Sequence, residues 1–259
     1  MLRTKPTRLF CSDLDGTLIG KPDSAADFTS TWEAAGDGGP VLVYSTGRLH
    51  EDARCAVKQA GLPTPDFFIT GVGTVIFHVR EDRVMHEFAD ILDEGWDPEK
   101  IEKIASGLHG IERQPPEHQH ASKRSWFWRD RTPGEIDRLR AMLSDADLSA
   151  QVVYSSSRDL DILPRHANKG NSLRWLCEHL GIAPDEVVVA GDTGNDASMF
   201  LVPGVRGIVP ENADPELLEV LGEVEYFHAA GVCAEGILQG LCHYGVVPCV
   251  THAPQDPAR

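Results

Sequence analysis

The chain has 259 residues, of which 41% are hydrophobic and 25% are charged, a composition typical of a folded globular protein. A formal net charge of −16 argues against binding to nucleic acid or to an anionic membrane surface. No apolar run approaches the roughly 18 residues that a membrane span needs, and the N-terminus lacks the pattern of a signal peptide. We therefore expect a cytoplasmic protein whose six cysteines, which form no CxxC pair, are reduced thiols.

Short apolar runs in the first part of the chain predict buried strands over residues 8–12, 40–45 and 66–70. A helix is predicted over residues 50–59, where it is ended by Gly61 and Pro63. Strand, helix and strand in succession favour a parallel sheet with crossover helices.

The character of the sequence changes near residue 84. Residues 84–164 contain three of the five tryptophans, and they predict helices over 97–107 and 133–145 and strands over 125–128 and 150–154. This segment has the pattern of an inserted α+β domain. After residue 164 the first pattern returns, with helices predicted over 171–180 and 236–243 and strands over 186–190 and 207–209.

These elements predict an α/β fold with a doubly wound, parallel-sheet (Rossmann-like) core and an inserted α+β cap domain. We assign residues 1–83 and 165–259 to the core and residues 84–164 to the cap. The tail from residue 248 has three prolines and little apolar content, and we expect it to be loosely held.

Polar clusters follow four of the predicted elements, and the first of them contains two acids. Asp13 and Asp15 come directly after the first strand, and Gly16 allows the backbone to turn sharply. Such a pair can hold a hard cation, or one acid can attack while the other transfers a proton. The alternative is a turn with two solvated carboxylates, and the pattern alone leaves both interpretations open.

The other three clusters suggest an anion site and a second acidic group. Thr46 and the free N–H groups around it begin a helix, where they either bind an anion or simply cap the helix. Lys169 is either a partner for an anion or a solvated surface lysine. Asp192 and Asp196 leave a strongly apolar strand on one tight turn, and two acids so placed repel each other unless a cation is present.

Four motifs occur in order along the chain: DLDGT (13–17), STGR (45–48), the lone lysine Lys169 and GDTGND (191–196). Together they resemble the motifs of the haloacid-dehalogenase-like phosphohydrolases. The resemblance implies Mg²⁺ dependence and an aspartyl-phosphate intermediate. It implies that Asp13 is the nucleophile and Asp15 the general acid and base, while Thr46 and Lys169 hold the phosphoryl group.

The same resemblance implies the metal ligands. Asp192, assisted by Asp196, is expected to hold Mg²⁺ together with Asp13 and the carbonyl group of Asp15. Asn195 is expected to orient this loop. The residues predicted to bind substrate are Gly47, Arg48, Gln119, Lys123, Asn195 and Asn212.

A closer resemblance is to the sucrose-phosphate phosphatases, and it extends to about residue 245. It rests on VYSTGRLHEDAR, GLPTPDFFITGVGTVIFH, QVVYSSSRDLDILPRHANKG and AGDTGNDASMF. The resemblance implies that the inserted domain is a cap over the active site and that the substrate is a disaccharide phosphate such as sucrose 6-phosphate or mannosylfructose phosphate. An upstream glycosyltransferase is then a candidate partner.

Alternatives remain open at this point. Glucosylglycerol phosphate is another possible substrate, because Gly16 and Leu49 depart from residues that are common in the resembled family. A phosphomannomutase-like phosphotransferase shares the cap type, and a catalytically silent relative is the non-enzymatic alternative. Within the cap, Trp126 or Trp128 either stacks on a sugar face or belongs to the cap core.

Overall fold

The computed structural model describes residues 5–21, 23–34, 36, 38–92, 94–155 and 157–249. Its strands are β1 (Leu9–Ser12), β2 (Val41–Ser45), β3 (Phe67–Thr70), β4 (Val75–His78), β5 (Arg83–Val84), β6 (Glu112–Arg113), β7 (Arg124–Phe127), β8 (Ala150–Ser155), β9 (Asp159–Pro164), β10 (Val187–Ala190), β11 (Arg206–Val209) and β12 (Tyr226–His228). Its helices are α1 (Ser24–Ala34), α2 (His50–Ala60), α3 (His86–Leu92), α4 (Pro98–Ser106), α5 (Pro133–Asp145), α6 (Lys169–Leu180), α7 (Ala197–Phe200), α8 (Pro215–Leu221) and α9 (Cys233–His243).

Eight strands form the main sheet, in the order β12-β11-β10-β1-β2-β3-β4-β5. The strands from β12 to β3 are parallel, and β4 and β5 extend the sheet as antiparallel strands. The five strands predicted for the core are all present, with bounds that differ by no more than one residue. The prediction of a doubly wound α/β core is confirmed.

Both faces of the main sheet are buried, which explains why its strands are continuous apolar runs. In β1, Leu9 and Cys11 point into a cluster with α3, α6, α7 and α8. The alternate residue Phe10 points into a second cluster with α1, α2 and α9. Because successive side chains of a strand point to opposite faces, one apolar run contributes to both clusters.

The second sheet is antiparallel, with the order β6-β7-β9-β8. Helices α4 and α5 cover one of its faces and form a separate apolar cluster with it. Helix α5 begins with a capping box, in which Thr132 and Glu135 each bond to the other's backbone N–H group. The predicted insertion is therefore a sheet covered by two helices.

The predicted start of the cap at residue 84 falls within elements that pack on the main sheet. Strand β5 pairs with β4, and the α3 side chains Phe88 and Leu92 lie in the first core cluster. We therefore propose that the cap begins after Leu92 and ends with β9 at Pro164.

Of the two interpretations of the cap tryptophans, the structure supports the cap core. Trp126 and Trp128 are 2% and 3% exposed and pack in the apolar cluster beneath α4 and α5. The indole N–H of Trp128 donates to the carbonyl of His109, so its polar atom is satisfied inside the cap. Both rings are core residues because they point to the helix-covered face of the sheet.

The expectation that all six cysteines are reduced is also wrong. Cys242, in the last turn of α9, forms a disulfide with Cys249, because the turn after the helix brings their Cα atoms to 5.0 Å. Four other cysteines are free thiols. The disulfide ties the start of the predicted tail to α9, and the rest of that tail, residues 250–259, lies outside the described residues.

Among the helices of the described ranges, none combines the length and the apolar character that crossing a membrane requires.

The cap core should contribute strongly to stability. Leu139 in α5 is fully buried, so Leu139→Ala removes buried methyl groups and leaves a cavity. We expect the free energy of unfolding to fall by about 2–5 kcal/mol in a urea titration. The matched control is Leu201→Ala, since Leu201 is 50% exposed and its loss should change stability by less than about 0.5 kcal/mol. Equal effects of the two substitutions would contradict this assignment of the core.

Candidate active site

The predicted polar clusters meet at one edge of the main sheet. Strand β1 lies between β2 and β10, and Ser12 is in register with both Tyr44 and Ala190. Asp13 and Thr46 therefore leave adjacent strands side by side, and Asp192 lies two residues beyond β10. The carboxyl ends of parallel strands are where ligands bind in open α/β sheets.

A lysine with no exposed surface lies at the centre of the site. The Nζ atom of Lys169 is 2.6 Å from Asp13 Oδ1 and 2.6 Å from Asp196 Oδ1. Burial alone would lower the pKa of Lys169, but the two carboxylates raise it above its ordinary value. The ammonium group thus stays charged, because a buried charge is tolerated only when it is paired.

Lys169 is placed by the start of α6 and by the loop after β3. The side chain of Asn168 caps the helix by accepting from the N–H of Asn171 at 2.8 Å. The Ser172 hydroxyl lies 3.0 Å from the carbonyl of Gly73 and 2.9 Å from that of Asn168. A Cβ atom on Gly73, whose φ is +86°, would lie 2.4 Å from the carbonyl carbon of Asn168, so only glycine permits this approach. The backbone on both sides of Lys169 is therefore fixed.

Asp196 joins the lysine to the loop that carries Asp192. Its Oδ2 atom accepts from the N–H groups of Asp192 and Thr193, each at 3.0 Å, while Oδ1 accepts from Lys169. Asp196 has no exposed surface, and both of its oxygens have partners. Asp196 therefore fixes the conformation of the loop that carries Asp192.

Asp192 is held by the DGT turn. Its Oδ1 atom accepts from Thr17 Oγ1 at 2.6 Å. A Cβ atom on Gly16, whose φ is +84°, would lie 2.0 Å from Asp192 Oδ2, so the carboxylate fits against the turn only because residue 16 is glycine. Burial raises the pKa of Asp192 to about 6, against the effect of the Thr17 hydrogen bond.

The three buried acids are crowded. Asp13, Asp192 and Asp196 each offer an oxygen, and these oxygens lie within 4.8 Å of one another. Burial raises the pKa of Asp13 to about 8, although Lys169 acts to lower it. Ionised carboxylates in such a cluster need more positive charge than one lysine supplies. Oxygen ligands of this kind fit Mg²⁺.

The side chain of Asp15 does not join this cluster. Its two oxygens accept from Nε and Nη2 of Arg48 at 2.7 and 2.8 Å, and Nη1 of Arg48 donates to Asp52 at 2.8 Å. The Asp15 side chain is 50% exposed. Asp15 therefore lies at the rim of the site as half of a bidentate ion pair.

A cavity of about 720 Å³ opens above these groups. Core and cap both line it, the cap through His118 and Lys123. The sequence-predicted residues that line it are Asp13, Asp15, Thr46, Gly47, Arg48, Lys123 and Asn195. The structure thus brings six of the predicted core residues and one predicted residue of the cap to the same cavity.

Two predicted substrate-binding residues do not line the cavity. Gln119 is bonded within the cap, where its side chain donates to the carbonyl groups of Gln114 and Ser125. Asn212 donates to the carbonyl of Gly16 at 2.8 Å and accepts from the N–H of Cys233 at 2.7 Å. Because both ends of its amide are engaged, Asn212 braces the DGT turn.

Sequence reasoning missed the polar groups that hold the site in place. Thr17 was visible in the DGT motif, but its bond to Asp192 depends on two distant segments meeting. Ser125 and Asp161 lie on the cap strands β7 and β9 and bond to each other at 2.6 Å. No spacing rule within one segment could have paired them.

The fold is a doubly wound sheet with an inserted cap, and its site contains the buried Lys169 between two aspartates that follow strands of the sheet. These features define a haloacid-dehalogenase-like phosphohydrolase. The family model described as sucrose-6F-phosphate phosphohydrolase matches residues 6–245, and the chain belongs to this family. It is a phosphoric monoester hydrolase, as the sequence motifs predicted.

Relatives and a solved structure agree with this assignment. The mannosylfructose-phosphate phosphatase of Agrobacterium fabrum is 41% identical over 246 residues, which are 94% of this chain and 99% of that protein. The probable sucrose-phosphatase 2 of Arabidopsis thaliana is 33% identical over 95% of this chain, but the chain spans only 62% of that protein. The structure of the sucrose-phosphatase from Synechocystis sp. in complex with sucrose and phosphate has a TM-score of 0.84 and 32% identity, covering 95% of this chain and 100% of that one.

The tight fit at Gly16 leads to a prediction for activity. Gly16→Ala places a methyl group where the Asp192 carboxylate lies and imposes an unfavourable positive φ. We expect phosphatase activity to fall about a hundredfold or more, since small misplacements of catalytic groups have effects of this size. The measurement is kcat/KM for an aryl phosphate.

The control for that prediction is Gly134→Ala. Gly134 lies in the first turn of α5, and a Cβ atom there would meet no heavy atom within 4 Å. This variant should keep wild-type activity. A Gly16→Ala enzyme with normal kcat/KM would show that the close approach of Asp192 is not needed.

Proposed function

We propose that this chain is a Mg²⁺-dependent phosphatase that hydrolyses a phosphorylated disaccharide, such as mannosylfructose phosphate or sucrose 6-phosphate, through an aspartyl-phosphate intermediate. The observation that carries the proposal is a cavity that is lined both by Asp13 of the core and by Lys123 of the cap. Its volume of about 720 Å³ is within the usual range of ligand sites. The names of the relatives support this substrate class.

Asp13 is the proposed nucleophile. Its Oδ1 atom is bound to Lys169, which leaves Oδ2 free to attack phosphorus. The hydroxyl of Thr46 and the ammonium of Lys169 are the proposed partners of the phosphoryl oxygens. Phosphoryl transfer depends mainly on positioning and on neutralising charge, and these fixed groups supply both.

Asp15 is the proposed general acid and base. As the Asp13–phosphorus bond forms and the ester bond breaks, protonated Asp15 gives its proton to the leaving sugar oxygen. The Asp15 carboxylate then takes a proton from the water that attacks the aspartyl phosphate, which releases phosphate and restores Asp13. For this role Asp15 must leave its ion pair with Arg48, which becomes available to the substrate.

Asp13 and Asp192 are the side chains proposed to hold Mg²⁺, with the carbonyl group of Asp15. When bound, the ion supplies positive charge next to the phosphoryl oxygens. Asp196 supports this site through the Asp192 backbone, because its own oxygens already accept four hydrogen bonds, three from the loop and one from Lys169.

The cap is proposed to select the sugar. Lys123 lines the cavity from above, while Arg48 and Asn195 line it from the core side. A cytoplasmic location and the supply of substrate by a glycosyltransferase stay predictions from the sequence.

Phosphate release from a panel of sugar phosphates tests the proposed function. The panel contains mannosylfructose phosphate, sucrose 6-phosphate, glucosylglycerol phosphate and hexose monophosphates, each with Mg²⁺ or with EDTA. We expect the disaccharide phosphates to have the highest kcat/KM, EDTA to abolish turnover, and added Mg²⁺ to restore it. Product analysis should find free sugar and inorganic phosphate.

Asp13→Asn is the negative control for the panel, since an amide cannot form the acyl phosphate. Full activity after complete chelation would contradict the metal assignment. Transfer of phosphate to a second sugar position would identify a phosphotransferase instead.

Lys123→Ala should affect the sugar ester far more than a small aryl phosphate. Both substrates share the phosphoryl group, which the core binds, whereas only the sugar reaches the cap. Loss of a charged hydrogen bond is worth about 1.5–3 kcal/mol, so kcat/KM for the disaccharide phosphate should fall roughly ten- to a hundredfold. Equal losses on both substrates would place Lys123 in the catalytic centre or in the fold of the cap.

A further inference from the structure

The cap sheet has two chemically different faces. One face packs under α4 and α5, and it includes Trp126 and Leu160. The opposite face carries Ser125, which has no exposed surface, and Asp161, whose side chain is 18% exposed. These two residues are directly opposite each other across β7 and β9. A serine and a carboxylate on the same buried face need polar partners.

Asp161 has two such partners. Its Oδ2 atom is 3.1 Å from Nζ of Lys123, and its Oδ1 atom is 2.6 Å from the hydroxyl of Ser125. The Ser125 hydroxyl also lies 3.1 Å from the carbonyl of His118. Since a hydroxyl has one proton, the shorter contact makes Asp161 its acceptor. One oxygen of Asp161 is therefore held by Ser125 on the neighbouring strand, and the other oxygen is bonded to Lys123.

Lys123 lines the cavity and Asp161 does not. The Lys123 side chain is 10% exposed, so little water is available to replace the carboxylate. A lysine side chain is flexible, and its ammonium group stays in one place only when a fixed partner holds it. The backbone carbonyl of Lys123 also accepts from His120, which anchors the turn but not the ammonium.

We propose that Asp161 is a positioning residue for substrate specificity, which holds the Lys123 ammonium against the cavity and is itself held by Ser125. This proposal rests on the proposed function, because it assigns Lys123 to the sugar part of the substrate. Asp161 acts through Lys123 and does not touch the phosphoryl group.

The test is a double-mutant cycle of Asp161→Asn and Lys123→Ala, with kcat and KM measured for a disaccharide phosphate and for p-nitrophenyl phosphate. Asp161→Asn keeps the shape of the side chain and removes its charge. It should lower kcat/KM for the disaccharide phosphate about tenfold or more, mainly by raising KM, and should affect the aryl phosphate much less. In the Lys123→Ala background, Asp161→Asn should lower kcat/KM for the disaccharide phosphate by less than about twofold, because Lys123, through which Asp161 acts, is absent.

Two further variants complete the design. Asp161→Glu keeps the charge and should retain more activity than Asp161→Asn. Asp137→Asn is the matched control, because Asp137 forms an exposed ion pair with Arg140 on helix α5. Loss of this ion pair should leave kcat/KM unchanged for both substrates. A crystal structure of Asp161→Asn should show the Lys123 ammonium displaced by more than about 1 Å.

Three results would overturn the proposal. If the two losses in kcat/KM for the disaccharide phosphate multiply in the double mutant, Asp161 contacts the sugar directly. Equal losses on both substrates, with a lower melting temperature, would give it a purely structural role. An unmoved Lys123 in the variant structure would show that Asp161 does not position it. A wild-type enzyme that hydrolyses only the aryl phosphate would refute the proposed substrate class, and the variant structure would still decide the positioning.

Discussion

The ion pair that Lys169 makes with Asp13 and Asp196 is the interaction on which the site depends. A lysine without exposed surface is stable only when its charge is matched, and here two carboxylates at 2.6 Å match it. Each carboxylate brings its own segment to the lysine, one from the end of β1 and one from the turn after β10. The lysine comes from α6, after the cap insertion. Three distant parts of the chain thus converge on one nitrogen atom.

Hydrogen bonds around this ion pair hold the neighbouring loops of the site in place. Asp196 fixes the Asp192 loop through two backbone N–H groups. Thr17 then fixes the carboxylate of Asp192, and Asn212 fixes the turn that contains Gly16. As a result Asp192 Oδ2 has no side-chain partner among the described residues and lies in a crowded acidic cluster that favours a cation.

Much of the core could be predicted from the sequence, because β1, β2 and β10 are apolar runs and each is followed at once by polar residues. The cap was less predictable. Strand β9 (DLDILP) alternates acidic and apolar residues, which is typical of a half-buried strand, yet neither its position nor the role of Asp161 followed from the local pattern. The same is true of Trp126, since its burial depends on which face α4 and α5 cover. The Cys242–Cys249 disulfide depends on a turn that spacing alone did not reveal.

The contact between Gly73 and Asn168 has a mechanical consequence. The chain returning from the cap is anchored at Asn168, where the loop after β3 touches its backbone and Ser172 bonds back to that loop. The anchor fixes the backbone next to Lys169 to the loop after β3, so that the place of the ammonium group depends on contacts with the main sheet. Lys169 therefore follows the insertion closely in the sequence, while its charge is held by two carboxylates of the core.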